Sequence, residues 1–212
     1  MPKHLISGHE HFRAEYFAKE ARFLEQLARN GQTPSALYIG CSDSRVIPEL
    51  LTAAAPGELF VVRNVANLVP AFEMSTVSVG AAIEYAVAKL GVAHVIICGH
   101  YGCGGIRAAL DGIDLVADLP SLHVWLRGAE PAARAAAAKG LQGDALFRNA
   151  VEQNVLAQMD HLITYPAVEK ALDAGKLSLH AWIYDIDDAK LRVYDVQREA
   201  FVPSNEMEYD EP

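Results

Sequence analysis

The chain has 212 residues, of which 51% are hydrophobic and 21% are charged, so it can bury a sizeable core in one domain and is not a largely disordered protein. The formal net charge is −9, and no basic stripe is present, which argues against a nucleic-acid-binding protein. No apolar run is long enough to span a membrane, and residues 1–10 lack the pattern of a secretory signal. We therefore expect a cytoplasmic protein.

The predicted elements begin with a helix and then alternate between strands and helices. Apolar side chains recur at helical spacing over residues 10–29, and Asn30-Gly31 ends that segment. We assign residues 1–31 to an N-terminal helical arm. Short apolar strands follow at residues 36–39, 59–62 and 93–97, and helices lie between and after them at residues 75–90 and about 104–110. Ser75 is the predicted N-cap of the first of these helices.

The second half continues with helices and ends in a predicted β-hairpin. Residues 145–163 have a helical pattern, and residues 178–185 and 191–196 flank a turn. Near-continuous apolar strands separated by helices indicate an α/β fold with a central, mostly parallel sheet covered by helices. We assign residues 32–200 to the catalytic core and residues 201–212 to an acidic tail of one single domain.

Two short motifs stand where predicted strands end. Cys41 follows the first strand within Cys41-Ser42-Asp43-Ser44-Arg45, and His100 follows the third within a glycine-rich turn that also contains Cys103. Ligands of open α/β sheets bind beyond the carboxyl ends of the strands, where parallel strands emerge at one edge. We therefore expect the two motifs to meet although they are 59 positions apart.

Their side chains are those that bind zinc. Cys41, His100 and Cys103 supply three ligands, and Asp43 is near enough for the fourth position. Three protein ligands and one exchangeable position are typical of catalytic zinc, and Arg45 offers Asp43 an alternative bidentate partner. Zinc lowers the pKa of a bound water. Two thiolates weaken this effect, so we expect activity in an alkaline range.

The remaining candidates have simpler interpretations. Cys98 lies inside the third predicted strand, where a cysteine acts as a small apolar side chain. The other histidines show no ligand-like spacing: His4, His9, His11, His94, His123, His161 and His180.

With these motifs in view, the sequence closely resembles the β-class carbonic anhydrases. Besides the two metal-binding motifs, the agreement includes Pro56-Gly57-Glu58, the segment Arg63-Asn64-Val65-Ala66-Asn67 and the segment 81–86. The resemblance implies zinc-dependent, reversible hydration of carbon dioxide to bicarbonate, with Asp43 and Arg45 as the catalytic dyad. It also implies a homodimer or homotetramer.

The resemblance further implies a substrate pocket shared between subunits, with Gln32 and Gly104 from one subunit and Phe60, Val65 and Tyr85 from its partner. Some members of the class bind an inhibitory bicarbonate at a second site, and the matching positions are Tyr38, Arg63 and Tyr184. Tyr38 stands where that subgroup has Trp, and Ala181 stands where Gly is usual. We therefore expect weak regulation by bicarbonate or none.

Two alternatives remain at this stage. A related zinc hydrolase acts on carbonyl sulfide or carbon disulfide, and the shape of the pocket would decide between these substrates. A structural-zinc or thiol-redox protein is the other alternative, in which Asp43 never leaves the metal. The Asp43-x-Arg45 spacing argues against it, because a structural site has no use for a partner that draws a ligand away.

Overall fold

A computed structural model describes residues 2–74 and 77–207 of the chain. At its centre is a six-stranded sheet with the order β2-β1-β3-β4-β5-β6. The strands are β1 (Ala36–Cys41), β2 (Leu59–Asn64), β3 (His94–His100), β4 (Ser178–Tyr184), β5 (Leu191–Asp195) and β6 (Ala200–Pro203). The longer helices are α1 (Lys3–Phe12), α2 (Ala18–Asn30), α3 (Pro48–Thr52), α4 (Val77–Glu84), α5 (Gly104–Asp111), α6 (Pro120–Leu126), α7 (Glu130–Ala137), α8 (Gly143–Ile163) and α9 (Pro166–Asp173).

The first four strands run parallel, and β5 and β6 add antiparallel edge strands. Every residue of β1 is buried, as is every residue of β3 after His94. This burial explains why these strands read as continuous apolar runs instead of alternating patterns. The predicted hairpin is confirmed, since β4 pairs with β5 and Trp182 lies opposite Val193.

The two faces of the sheet are packed to different degrees. The main core lies on the face that Leu37 and Ile39 share, and α8 packs there against β3 and β4. A Cβ at Gly99 would come within 2.6 Å of Val155 Cγ2, so the glycine permits this close contact. The opposite face has a smaller buried cluster that includes Tyr38 and Cys98, bordered by half-buried side chains.

The N-terminal arm is one long helical segment. Its helices α1 and α2 are joined by a π-helical segment, Arg13–Phe17, and none of the three contains a buried residue. The arm ends at Gly31, whose φ of +79° suits glycine. It therefore starts earlier than the helical pattern suggested but ends where predicted.

Several boundaries differ from the sequence-based prediction. The strands are longer than the apolar runs, so Cys41, Arg63 and His100 lie within strand ends and not after them. Residues 201–203 belong to β6, although we assigned them to the acidic tail. The predicted cap Ser75 and the tail residues Glu208, Asp210 and Glu211 lie outside the described residues. In the part of the chain that is described, no helix is long and apolar enough to cross a membrane.

Candidate metal centre

Two neighbouring strands and the start of a helix bring the candidate ligands together. Cys41 is the last residue of β1 and His100 is the last residue of β3, and these strands pair directly in parallel. Between His100 and Cys103 the chain turns through Gly102, whose φ is +78°. Cys103 then occupies the N-cap position of α5. The two motifs therefore meet at the carboxyl edge of the sheet, as expected.

The ligand atoms of these three residues form a buried cluster. The Sγ atoms of Cys41 and Cys103 and a ring nitrogen of His100 all lie within 4.8 Å of one another, and the two sulfurs are 3.9 Å apart. His100 Nδ1 lies 3.0 Å from the carbonyl oxygen of Tyr101, which can only accept a hydrogen bond. Nδ1 therefore has the proton, and Nε2 presents a lone pair.

His100 Nε2 is the atom that tests whether a metal fits. It is buried, and no described residue meets it in hydrogen-bond geometry, which is costly for a polar atom unless a bound group satisfies it. Two thiols and a free imidazole lone pair at this spacing are a typical donor set for zinc. The residues present therefore fit a zinc ion.

The backbone around the cluster favours thiolates. The thiol of Cys103 and, less strongly, the imidazole of His100 lower the pKa of Cys41. The backbone N–H groups of Asp43 and Ala66 also hydrogen-bond to Cys41 and lower it. The contact with Cys41 and burial raise the pKa of Cys103. Hydrogen bonds from the backbone N–H groups of Ile106 and Gly105 lower it in part. Cys41 is therefore the first of the pair to ionise. Both sulfurs accept hydrogen bonds from backbone amides, which stabilise the thiolate form that metal binding requires.

Asp43 is held beside the cluster by Arg45. Arg45 Nε and Nη2 donate to the two carboxylate oxygens over 2.9 and 2.7 Å, and Asp43 Oδ2 lies 3.8 Å from His100 Nε2. The hydrogen bonds from Arg45 hold the pKa of Asp43 below its usual range, so the carboxylate is ionised at any working pH. Arg45 Nη2 also donates to the Gly102 carbonyl, which links the two motifs.

Comparison with known proteins identifies the family. The family model for carbonic anhydrase matches residues 36–191. A carbonic anhydrase of Pseudomonas aeruginosa is 40% identical over 203 residues, which is 93% of this chain and 90% of the relative. One of Synechococcus elongatus is 41% identical over 189 residues, 88% of this chain and 69% of the relative. The chain belongs to the carbonic anhydrase family.

Solved structures place it in the β class. The β-carbonic anhydrase CcaA superposes with a TM-score of 0.91 at 39% identity, covering 95% of this chain and 91% of that one. A tetrameric β-carbonic anhydrase of Sordaria macrospora gives a TM-score of 0.79 at 30% identity, covering 90% and 95%. The protein is accordingly a zinc lyase that hydrates carbon dioxide reversibly, and the resemblance inferred from the motifs is confirmed.

The residues predicted for the carbonic anhydrase substrate pocket are only partly brought together within one chain. The rings of Phe60 and Tyr85 are in contact, with centroids 5.8 Å apart, and Val65 lies against Gly105 beside Gly104. Gln32 is exposed in the connection between α2 and β1. Val65 and Tyr85 are exposed by 38% and 45%. The assignment of all five residues to one pocket stays a prediction.

The three residues of the predicted regulatory site project from the same face of the sheet, the face with the smaller cluster. Tyr38 is fully buried, its hydroxyl has no partner within hydrogen-bond geometry, and burial raises its pKa far above the ordinary value. Arg63 Nε donates to the Cys41 carbonyl over 3.0 Å, and Tyr184 is half-buried. Regulation by bicarbonate stays a prediction.

The side-chain amides of Asn154 and Gln158 on α8 are buried and bind the backbone after β2, a role that was not predicted from the sequence. Asn154 Nδ2 donates to the Ala66 carbonyl over 3.0 Å, and Gln158 donates to Asn154 Oδ1 over 3.1 Å. Gln158 Oε1 accepts from the Val69 N–H. Ala66 needs this support because its φ of +65° is unfavourable for alanine. Two polar residues four apart on the buried face of a helix were the signal available in the sequence.

Proposed function

We propose that Cys41, His100 and Cys103 hold the zinc ion of this carbonic anhydrase and that Asp43 and Arg45 control its fourth position. The observation that supports the assignment is the buried, unpartnered Nε2 of His100, which faces two thiols that have amide donors of their own. When bound, zinc supplies a water whose pKa is low enough to give a nucleophile near neutral pH.

Asp43 orients the nucleophile in this proposal. Its carboxylate is ionised and lies next to the ligand cluster, so it accepts a hydrogen bond from the attacking oxygen and directs the lone pair toward carbon. Arg45 occupies both carboxylate oxygens and so keeps Asp43 from becoming a fourth protein ligand. The Gly104 N–H, at the start of α5, is a candidate donor to the substrate oxygen as negative charge develops, with Gln32 as an alternative.

The remaining pocket residues form the apolar wall for carbon dioxide. The rings of Phe60 and Tyr85 pack at a tilt of 36°, and Val65 is held in place because Trp125 Nε1 donates to its carbonyl over 2.8 Å. Their exposure in a single chain supports the proposal that a second copy completes the pocket. Hydrolysis of carbonyl sulfide or carbon disulfide is the alternative activity, and assays with each gas separate the three substrates.

A closed structural site is less favoured. A structural role requires Asp43 to be a permanent fourth ligand. Instead, both of its oxygens are engaged by Arg45, and its own backbone N–H is directed at Cys41. This arrangement supports an exchangeable fourth position.

Self-association as a homodimer or homotetramer completes the proposal. The arm exposes large apolar side chains that one chain leaves in water: Leu5, Ile6, Phe12, Tyr16, Phe17 and Phe23. Exposed apolar surface of this extent is typical of a protein interface. A tetrameric relative supports the same expectation.

A cytoplasmic location is supported by three free cysteines, which persist in a reducing compartment.

Zinc content and stopped-flow hydration of carbon dioxide test the central assignment. Wild type is expected to bind about one zinc per chain, and Cys41→Ser and Cys103→Ser are expected to lose both metal and activity. Cys98→Ala is the matched control, since Cys98 is equally buried but lies outside the cluster. Full zinc retention in both serine variants would overturn the assignment.

A further inference from the structure

A pair of histidines lies at the end of the sheet opposite to the zinc ligands. His94 is the first residue of β3, and His180 is the third residue of the neighbouring strand β4. His94 Nδ1 and His180 Nε2 are 3.2 Å apart, and the ring centroids are separated by 5.2 Å. The two residues are 86 positions apart, and neither has ligand-like spacing in the sequence.

The strand register explains why the rings meet. His94 lies opposite Ser178, and Ile96 lies opposite His180, so the two histidines are diagonal neighbours on one face of a parallel pair. Both strands belong to the centre of the sheet, and their register is fixed by the buried residues that follow. The two nitrogens are therefore held close together by the backbone and not by a flexible loop.

The distance between the nitrogens matches one metal ion. Imidazole nitrogens bind zinc at about 2.0–2.1 Å, so two of them at a tetrahedral angle are separated by about 3.3 Å. The observed 3.2 Å agrees with that value. The exposed position of His94 leaves room for water on the outer side, where the remaining coordination positions would lie.

The protonation state of the pair also suits a metal. Burial lowers the pKa of His180, and the neighbouring His94 lowers it further, so the His180 ring gives up its proton more readily than a free imidazole. Neutral imidazole is the form that binds metals. Without a metal, one proton shared between Nδ1 and Nε2 makes the contact a hydrogen bond, and a cation would replace that proton.

We propose that His94 and His180 form a second metal site that binds a divalent transition metal through two imidazoles, with water as the other ligands. It is separate from the zinc centre, because β3 places His94 and His100 at its opposite ends. Imidazole ligands and the Irving–Williams order give Cu²⁺ the highest affinity, followed by Ni²⁺ and Zn²⁺. Among the described residues no carboxylate or thiol completes a group of three here, so the binding is reversible and weaker than at the cysteine site.

Titration of the zinc-loaded enzyme with Cu²⁺ tests the proposal, with Ni²⁺ as a probe that does not oxidise thiols. Trp182 lies two residues after His180 on the same face and is one of two tryptophans in the chain, so its fluorescence reports a paramagnetic ion bound nearby. The expected result is saturable quenching and a paramagnetic resonance signal with nitrogen ligands. In His94→Gln and His180→Gln, the affinity responsible for this quenching is expected to fall by about tenfold or more, because two linked ligands become one.

The controls separate this site from other histidines. His123→Gln removes a half-buried histidine whose Nε2 lies 3.4 Å from the exposed Asp114, and it is expected to leave the titration unchanged. Hydration activity and zinc content are followed in every variant to show that the catalytic centre is intact. Identical quenching and spectra in wild type, His94→Gln and His180→Gln would overturn the proposal, and so would the absence of any such signal in wild type.

Discussion

The guanidinium of Arg63 donates to the backbone carbonyl of Asp43 over 2.6 Å and to that of Cys41 over 3.0 Å. The resemblance to the β class suggested an inhibitory bicarbonate as the partner of Arg63. Instead, Arg63 bridges the end of β1 to the loop that contains the catalytic carboxylate. A bicarbonate bound at the remaining N–H groups of this guanidinium would be linked to the metal centre through these two carbonyls.

Replacement of Arg63 by Gln is expected to lower carbon dioxide hydration while zinc stays bound. The end of β1 and the loop at Asp43 each lose one charge-assisted hydrogen bond. Loss of supporting contacts of this kind lowers activity by about 10–100-fold. Stopped-flow rates with parallel zinc analysis measure the effect. Arg134→Gln, which removes an exposed arginine paired with Glu130, is the control. Unchanged turnover in Arg63→Gln would mean that the loop does not need this support.

The same variant tests regulation by bicarbonate. Because Tyr38 is buried and Arg63 is already engaged, we expect simple product inhibition in both wild type and Arg63→Gln at fixed pH and ionic strength. The measurement is initial rate against bicarbonate concentration. Sigmoidal inhibition of wild type that disappears in the variant would contradict this expectation and would show that the three-residue site binds the anion.

Replacement of Arg45 by Ala is expected to abolish activity and leave zinc in place. Without the guanidinium, Asp43 has only the metal to bind, and its Oδ2 is already 3.8 Å from His100 Nε2. Arg45→Lys keeps the charge but loses the two-pronged contact, so an intermediate rate is expected. Near-normal turnover in Arg45→Ala would refute the gating role of Asp43.

The dyad also has a defined pH dependence. Arg45 depresses the pKa of Asp43 in the folded protein, so the pair stabilises the fold above the unfolded value of about 4. This contribution is lost as pH falls through the lower folded pKa. Asp43 therefore stays ionised throughout the alkaline rise in activity, which we attribute to the water. The wild-type rate profile is therefore expected to show no acidic limb from Asp43, which stopped-flow rates over a range of pH check.

Removal of apolar contacts on the arm is expected to dissociate the assembly. Wild type should scatter light as a multiple of 23.0 kDa, and Phe12→Glu should shift the mass downward together with activity, because Phe12 is exposed in one chain. Val196→Glu places the same charge on a distant exposed turn residue and serves as the control. A fully active species of 23.0 kDa would disprove the shared pocket.

The metal motifs could be located from the sequence because parallel topology sends Cys41 and His100 to one sheet edge whatever the exact register. The fold class followed from the same apolar runs. Contacts that depend on register were not accessible. The His94–His180 pair requires knowing that Ile96 lies opposite His180. The strand β6 forms a short hairpin with β5, and its four residues are too few to show a strand pattern. The backbone role of Arg63 was missed because a carbonyl partner leaves no mark in side-chain patterns.

Cys98 offers a contrast to the two cysteine ligands. Burial raises its pKa to about 12, so its thiol is unreactive at neutral pH. After removal of zinc by a chelator, a thiol reagent at neutral pH is expected to label Cys41 first and to leave Cys98 unmodified until the protein unfolds. Mass spectrometry of the labelled peptides identifies the sites. Early labelling of Cys98 in the folded protein would contradict its role as a packed core residue.

The last prediction concerns the buried amide of Asn154, which holds the Ala66 carbonyl while the Ala66 N–H points at Cys41. Asn154→Leu keeps the branching at Cγ but frees the strained Ala66 backbone, so the Cys41 sulfur loses a donor that stabilises its thiolate. Release of zinc to a chelator is expected to be about tenfold faster, as for other losses of outer-shell contacts. Leu162→Ala, eight positions further along the same helix, is the control, because it destabilises the core by about 2–5 kcal/mol and removes no hydrogen bond. Thermal unfolding measures the loss of stability in each variant, so that rates of zinc release are compared at equal stability. Equal zinc release from both at equal loss of stability would show that Asn154 acts on the fold and not on the metal ligand.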